Sequence, residues 1–146
     1  MGREVRRVPA DWQHPKDDRT GEYRPLPSGE FYEDDVREFL RITNTEGLQA
    51  AIEYFGKAPE RKDYMPNWPA SERTHYMMYE DCTEGTPISP AFPSPEALAH
   101  WLTDTGASAF ADLDADYEHW LRVAHGRSAP SMVLEDGKIY SGVQGI

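Results

Sequence analysis

Apolar side chains recur with helical spacing in five stretches of the chain and alternate like strands only near its two ends. Within residues 30–43, Tyr32, Val36, Phe39, Leu40 and Thr43 share one helical face, opposite Glu33, Asp34, Arg37, Glu38 and Arg41. Acidic residues crowd the first turn and arginines the later ones, as the helix dipole favours. A second helix is predicted with Thr45 as its cap, Leu48, Ala51, Ile52 and Phe55 as its stripe, and Gly56 as its stop. A third is predicted over residues 72–81, capped by Ser71, with His75, Met78, Tyr79 and Cys82 on one side. The best-marked helix spans residues 94–105. Ser94 caps it, Pro95 takes the first helical position, Glu96 adds a favourable charge and Gly106 closes it. Leu98, Trp101, Leu102 and Thr105 mark its buried face. A fifth begins at Asp114, with Tyr117, Trp120, Leu121 and Ala124 one turn apart in series, and ends at Gly126.

The strand signals are shorter. Residues 3–8 are partly β-branched and halted by Pro9, which reads as an edge strand or an arm. Prolines frame a polar loop over residues 16–21 that Trp12 and Tyr23 pin to the body. Residues 131–135 and 138–141 flank Asp136-Gly137, a strong hairpin signal. That register sets Glu135 opposite Lys138, Leu134 opposite Ile139 and Val133 opposite Tyr140. A lone two-stranded ribbon is marginal, so the hairpin is expected to recruit the N-terminal strand or to pack on the helices. The pattern predicts an α+β fold: one compact domain of about five helices packed with a small antiparallel sheet. Residues 1–29 read as a loosely packed arm and loop, 30–126 as a helical body and 130–143 as the hairpin.

Length and composition agree with a single domain. The chain has 146 residues, enough for a modest core, and four Trp, eight Tyr and five Phe supply large buried area. No apolar run approaches the roughly 18–20 residues of a membrane span, so no membrane partner is expected and a cytosolic setting is the default. The single cysteine, Cys82, fits that setting. Charge adds more. The net charge is −11, and only the first 29 residues are balanced, with six basic and five acidic side chains. Direct binding of a phosphate backbone is disfavoured, whereas a basic protein groove is a favourable partner; the alternative is that the charge serves ordinary solubility.

Catalytic and metal signals are weak. The five histidines show no close paired spacing, and one cysteine cannot build a thiolate cluster, so no metal or cofactor is expected. Glu96 and His100 lie one turn apart and read as a surface pair. Asp112-Leu113-Asp114-Ala115-Asp116 resembles the start of a calcium loop, but Tyr117 and Val123 stand where glycine and a bidentate glutamate are needed. Asp114 reads instead as a helix cap. Cys82 reads as a small buried thiol, too far from His75 along a helix for activation. A pocket near Cys82, Glu84, Thr86 and Ser108 would give a small enzyme or nucleotide-binding protein, with residues 84–90 the place to find a small molecule. The best interaction signal is aromatic side chains beside carboxylates. Tyr64, Trp68, Glu72, Tyr76, Tyr79, Glu80, Asp81, Glu84, Thr86 and Ser89 are therefore the candidate binding residues, with the alternative that these aromatics form the core.

Several ordered blocks carry a family resemblance. Arg3-Glu4-Val5-Arg6-Arg7-Val8-Pro9 with Trp12-Gln13-His14-Pro15-Lys16 opens the pattern, and Tyr64-Met65-Pro66, Trp68-Pro69 and Glu84-Gly85-Thr86-Pro87-Ile88-Ser89-Pro90 continue it. Leu98-Ala99, Trp101-Leu102, Gly106-Ala107-Ser108-Ala109-Phe110, Ser131-Met132-Val133 and Ser141-Gly142-Val143 complete it. The chain resembles a group of small uncharacterised bacteriophage and prophage proteins, and the blocks span nearly its whole length. Many members have a longer acidic and aromatic middle before the Tyr-Met-Pro block, where this chain is short. The resemblance carries no catalytic residues. It implies an accessory protein in the cytoplasm of an infected bacterium, a candidate host-defence antagonist of the anti-CRISPR kind. Combined with the charge, it points to a host protein or ribonucleoprotein complex with a basic surface as partner, with imitation of nucleic acid as one way of blocking it. A minor virion or assembly component is the further alternative.

Overall fold

The structure is a computed structural model that describes residues 2–109, 114–126, 128–129, 132–135, 138–141 and 143. The class is α+β, with four α-helices among the described residues. Contacts divide the chain into two compact units, Met1–Pro25 with Trp68–Ile146, and Leu26–Asn67.

The Leu26–Asn67 unit is a helical hairpin, α1 (Phe31–Glu46) and α2 (Leu48–Phe55). Thr45 does not cap α2. Its hydroxyl bonds the Arg41 carbonyl inside α1, and Thr43 does the same to Phe39, so α1 runs on to Glu46. Gly47, at φ +99°, then makes the joint. Phe39, Ile42 and Ala51 are buried, with Ala50, Ile52 and Phe55 packed against them. Leu40, assigned to the apolar face by its spacing, is 54% exposed, because the face is turned toward Ile42. After α2 the chain returns through a 3₁₀ turn, Arg61–Asp63, and Tyr64 is buried with its hydroxyl donating to Asp35 Oδ2. Gly29 lies under this return. A Cβ there would sit 2.6 Å from the Met65 carbonyl oxygen. Gly29→Ala is therefore expected to destabilise the protein by about 1–3 kcal/mol, measured by urea unfolding.

In the other unit, β1 (Arg3–Val8) pairs antiparallel with β2 (His75–Glu80) along its full length. β3 (Thr86–Pro87) and β4 (Ser128–Ala129) complete a four-stranded sheet of order β3-β2-β1-β4. Two expectations are corrected here. Residues 1–29 are not a loose arm at their start: β1 is an inner strand, with Arg3 only 3% exposed and bonded to the Ser108 and Gly2 carbonyls. Residues 72–81 are not a helix, and the helical body over 30–126 is interrupted by β2. Ser71 belongs to a short 3₁₀ turn, Ala70–Glu72. The run Tyr76-Met77-Met78-Tyr79 is large and apolar on both sides because both faces of β2 are covered, and such a run has no period to distinguish strand from helix.

Register assigns the two faces. Val5 opposes Met78 and Arg7 opposes Tyr76, facing α3 (Pro95–Asp104) and α4 (Tyr117–Ala124). The core on that side holds Met78, Leu98, Ala99, Leu102, Trp120, Val123, Ala124 and Val143. α3 is capped as predicted: Ser94 accepts from the Ala97 amide and Pro95 takes the first position. α4 is capped by Asp116, whose Oδ1 accepts the His119 amide, not by Asp114. On the opposite face lie Arg6, Met77 and Tyr79. The C-terminal hairpin, β5 (Met132–Glu135) and β6 (Lys138–Ser141), has the predicted register but forms its own two-stranded sheet. Its Asp136-Gly137 turn lies outside the described residues. It does not recruit β1, whose two edges are already taken by β2 and β4.

Candidate functional site

The sequence-predicted residues separate into several places. Tyr79 is fully buried and Tyr64 is 8% exposed, so neither is a surface anchor. Tyr76 is half-buried beneath the Arg7 guanidinium, 4.1 Å from its ring centre, and its backbone bonds Phe92 in both directions. Trp68 is half-buried, edge-to-face with Trp12 at 4.8 Å. The core alternative therefore holds for Tyr64 and Tyr79. Glu72 is exposed on its 3₁₀ turn.

The turn joining β2 to β3 explains the residue order at 80–90. Glu84 and Gly85 both have positive φ, 65° and 102°, and reverse the chain. The Thr83 hydroxyl donates to the Glu80 carbonyl, and the Glu84 amide to that of Asp81. Thr86 lies opposite Glu80 in the sheet. Ser89 is buried, accepting the Met78 amide and donating to the Pro90 carbonyl, and so replaces a ladder bond that the prolines interrupt. Cys82 is exposed, not buried as expected, because it sits on this turn. Its thiol donates to Glu80 Oε1 at 3.0 Å, and that bond, more than its slight burial, raises its pKa. A protonated thiol facing carboxylates is a poor nucleophile. Ser108 meets Arg3 through its carbonyl, 3.0 Å from Nε.

A cavity of about 740 Å³ opens next to this turn instead of upon Cys82, Glu84, Thr86 and Ser108. One wall is residues 87–91 along the edge of β2, and the other is the stretch holding Trp12, Gln13, His14, Lys16 and Tyr23. Met77 and Trp101 complete the lining. The second wall is fixed by a hydrogen-bonded chain. Trp12 Nε1 donates to the Tyr79 hydroxyl at 3.0 Å, and the hydroxyl lies 2.9 Å from His14 Nδ1. His14 Nε2 lies 2.6 Å from the Arg24 carbonyl oxygen, which can only accept. That assigns the proton to Nε2, so Nδ1 accepts from Tyr79. Burial, followed by the Arg6 and Arg24 charges, lowers the His14 pKa against the opposing Arg24 bond. Burial pushes the Tyr79 hydroxyl up to about 12. Both groups stay neutral, and Arg6 lies 4.5 Å above the Tyr79 ring.

Sequence reasoning placed Trp12 and Tyr23 as pins for the loop but missed the groove they line with Lys16, Met77 and Trp101. The available signal was Trp12 and His14 two residues apart, on one side of an extended segment. Among the described residues no group of His, Cys, Asp and Glu could hold a metal ion, and His100 stacks on Tyr117 at 4.3 Å while Glu96 faces His125. No described helix is long and apolar enough to cross a membrane.

Apart from Tyr23 in the groove wall, the exposed large apolar side chains among the described residues are elsewhere. Phe31, Leu40, Leu48 and Tyr54 lie in the Leu26–Asn67 unit, where nine carboxylates face five cations, and Tyr54 is 72% exposed. Arg37 pairs with Asp34, Arg41 with Glu38 and Lys57 with Asp63. Glu33, Glu46 and Glu53 are exposed and make no ion pair among the described residues, although Glu53 accepts from the Gln49 amide. Compared with protein-family models, curated proteins and solved structures, the chain has no match.

Proposed function

We propose that the protein is a phage accessory factor that acts by protein–protein interaction, covering a basic, nucleic-acid-handling surface of a host complex. The observation that carries this reading is the α1–α2 hairpin, which leaves Leu40, Leu48 and Tyr54 exposed on helices that also expose Glu33, Glu46 and Glu53, none of them in an ion pair among the described residues. Apolar anchors supply contact area, and the carboxylates steer toward a cationic partner and match its charge. The family resemblance supports the setting, and the net charge of −11 supports the sign of the partner. Relative to the sequence-level candidates, the anchors move from Tyr64 and Tyr79 to α1 and α2.

Affinity capture from host lysate tests the reading. A nucleic-acid-handling complex is expected to be retained at low salt, released at high salt, and displaced by its own nucleic acid. The triple variant E33K/E46K/E53K is expected to weaken capture by about tenfold or more, and Tyr54→Ala by about tenfold. Retention that ignores salt, nucleic acid and all four substitutions would exclude this interface.

A further inference from the structure

We propose that the groove beside Lys16 binds a small planar aromatic monoanion, a flat ring carrying one carboxylate. Its volume of about 740 Å³ falls in the range of small-molecule clefts, and its walls offer the rings of Trp12, Tyr23 and Trp101 with Met77 and Ile88. Such surfaces favour a flat apolar body that can stack or meet ring edges.

The polar groups of the lining narrow the chemistry. Both His14 ring nitrogens are engaged, by Tyr79 and by Arg24. The Ser89 hydroxyl is used as donor and as acceptor. That leaves the Gln13 amide, the Tyr23 hydroxyl, the Trp101 indole N–H and the Lys16 ammonium to meet a ligand, of which only Lys16 is charged. Lys16 lies 4.9 Å from the centre of the Tyr23 ring and makes no ion pair among the described residues. The nearest carboxylate in sequence, Asp17, is turned to its own loop, accepting the Arg19 and Thr20 amides. Lys16 is the one Lys or Arg among the residues that line the groove, so the lining matches one negative charge and would leave a dianionic phosphate half-compensated. The site is also preformed, since the Trp12–Tyr79–His14 chain holds one wall and Ser89 the other, so binding requires little ordering.

Isothermal titration of the full chain with 2-naphthoate, 2-naphthamide and cyclohexanecarboxylate tests the assignment. Saturable binding of 2-naphthoate is expected, with the amide and the non-aromatic acid each weaker by about tenfold. Lys16→Gln should reduce naphthoate binding to the level of naphthamide, whereas Arg19→Gln should leave it unchanged. Tyr23→Leu, on a side chain 43% exposed, should weaken both aromatic ligands. No saturable binding of naphthoate, or equal binding by the Lys16→Gln variant, overturns the proposal. So does a groove that takes an extended peptide in preference to the naphthoate. None of these substitutions touches α1 or α2, so the result is independent of the host-complex interface.

Discussion

Replacing Trp120 with alanine is expected to cost about 3–5 kcal/mol in folding free energy, the largest effect of any substitution considered. The indole is fully buried on α4, among Met78, Leu98, Leu102 and Val123. Truncation removes its transfer free energy and leaves a cavity that helices fixed on a sheet cannot fully close. Trp120→Phe should cost far less than truncation. Trp120 Nε1 is buried with no acceptor among the described residues, and the phenyl ring deletes that unpaired donor while keeping most of the packing. Urea unfolding of the two variants beside the wild type checks the ordering. Equal losses would mean that the indole N–H has a partner that holds it in place.

Tyr79→Phe is expected to destabilise by about 2–3 kcal/mol even though the ring still fits. The hydroxyl both accepts from Trp12 Nε1 and donates to His14 Nδ1, so its loss takes the partner from two polar groups, one part-buried and one buried. The same chain predicts a dependence on pH. The folded-state pKa of His14 is lowered from 6.5, with burial the first cause. The unfolded chain therefore binds the proton more readily than the folded one. The stability that His14 contributes is fully present above about pH 6.5 and is lost as pH falls through the folded value. His14→Phe should flatten that part of the profile, whereas Tyr79→Phe should lower the curve and keep its slope, because burial and the Arg6 and Arg24 charges persist. Unfolding midpoints measured from pH 7.5 downward separate the two. A wild-type profile that is flat through the region below 6.5 would contradict the buried neutral imidazole.

Local signals were legible where a few neighbouring residues settle the conformation. Ser94, Pro95 and Gly106 define α3 because capping and φ preferences act within one turn, and Leu98 and Leu102 are buried as their spacing requires. The hairpin register from Val133 opposite Tyr140 to Glu135 opposite Lys138 follows from turn length alone. The limits of α1 were not legible, because whether Thr45 caps a new helix or back-bonds within the old one depends on Gly47 taking the joint.

What the sequence determined by itself is therefore the α+β class, the capped α3, the pairing within the C-terminal hairpin and the acidic balance. Each rests on interactions within a few residues or on composition. Only the tertiary structure decided that residues 75–80 are a strand, since the periodicity of a run covered on both faces is erased and the full-length edge of β1 makes the choice. Only it brought His14 to Tyr79, 65 residues apart, and set Lys16 across from residues 87–91. Burial and groove formation depend on which distant side chains arrive together, and that is encoded in no single stretch of the chain.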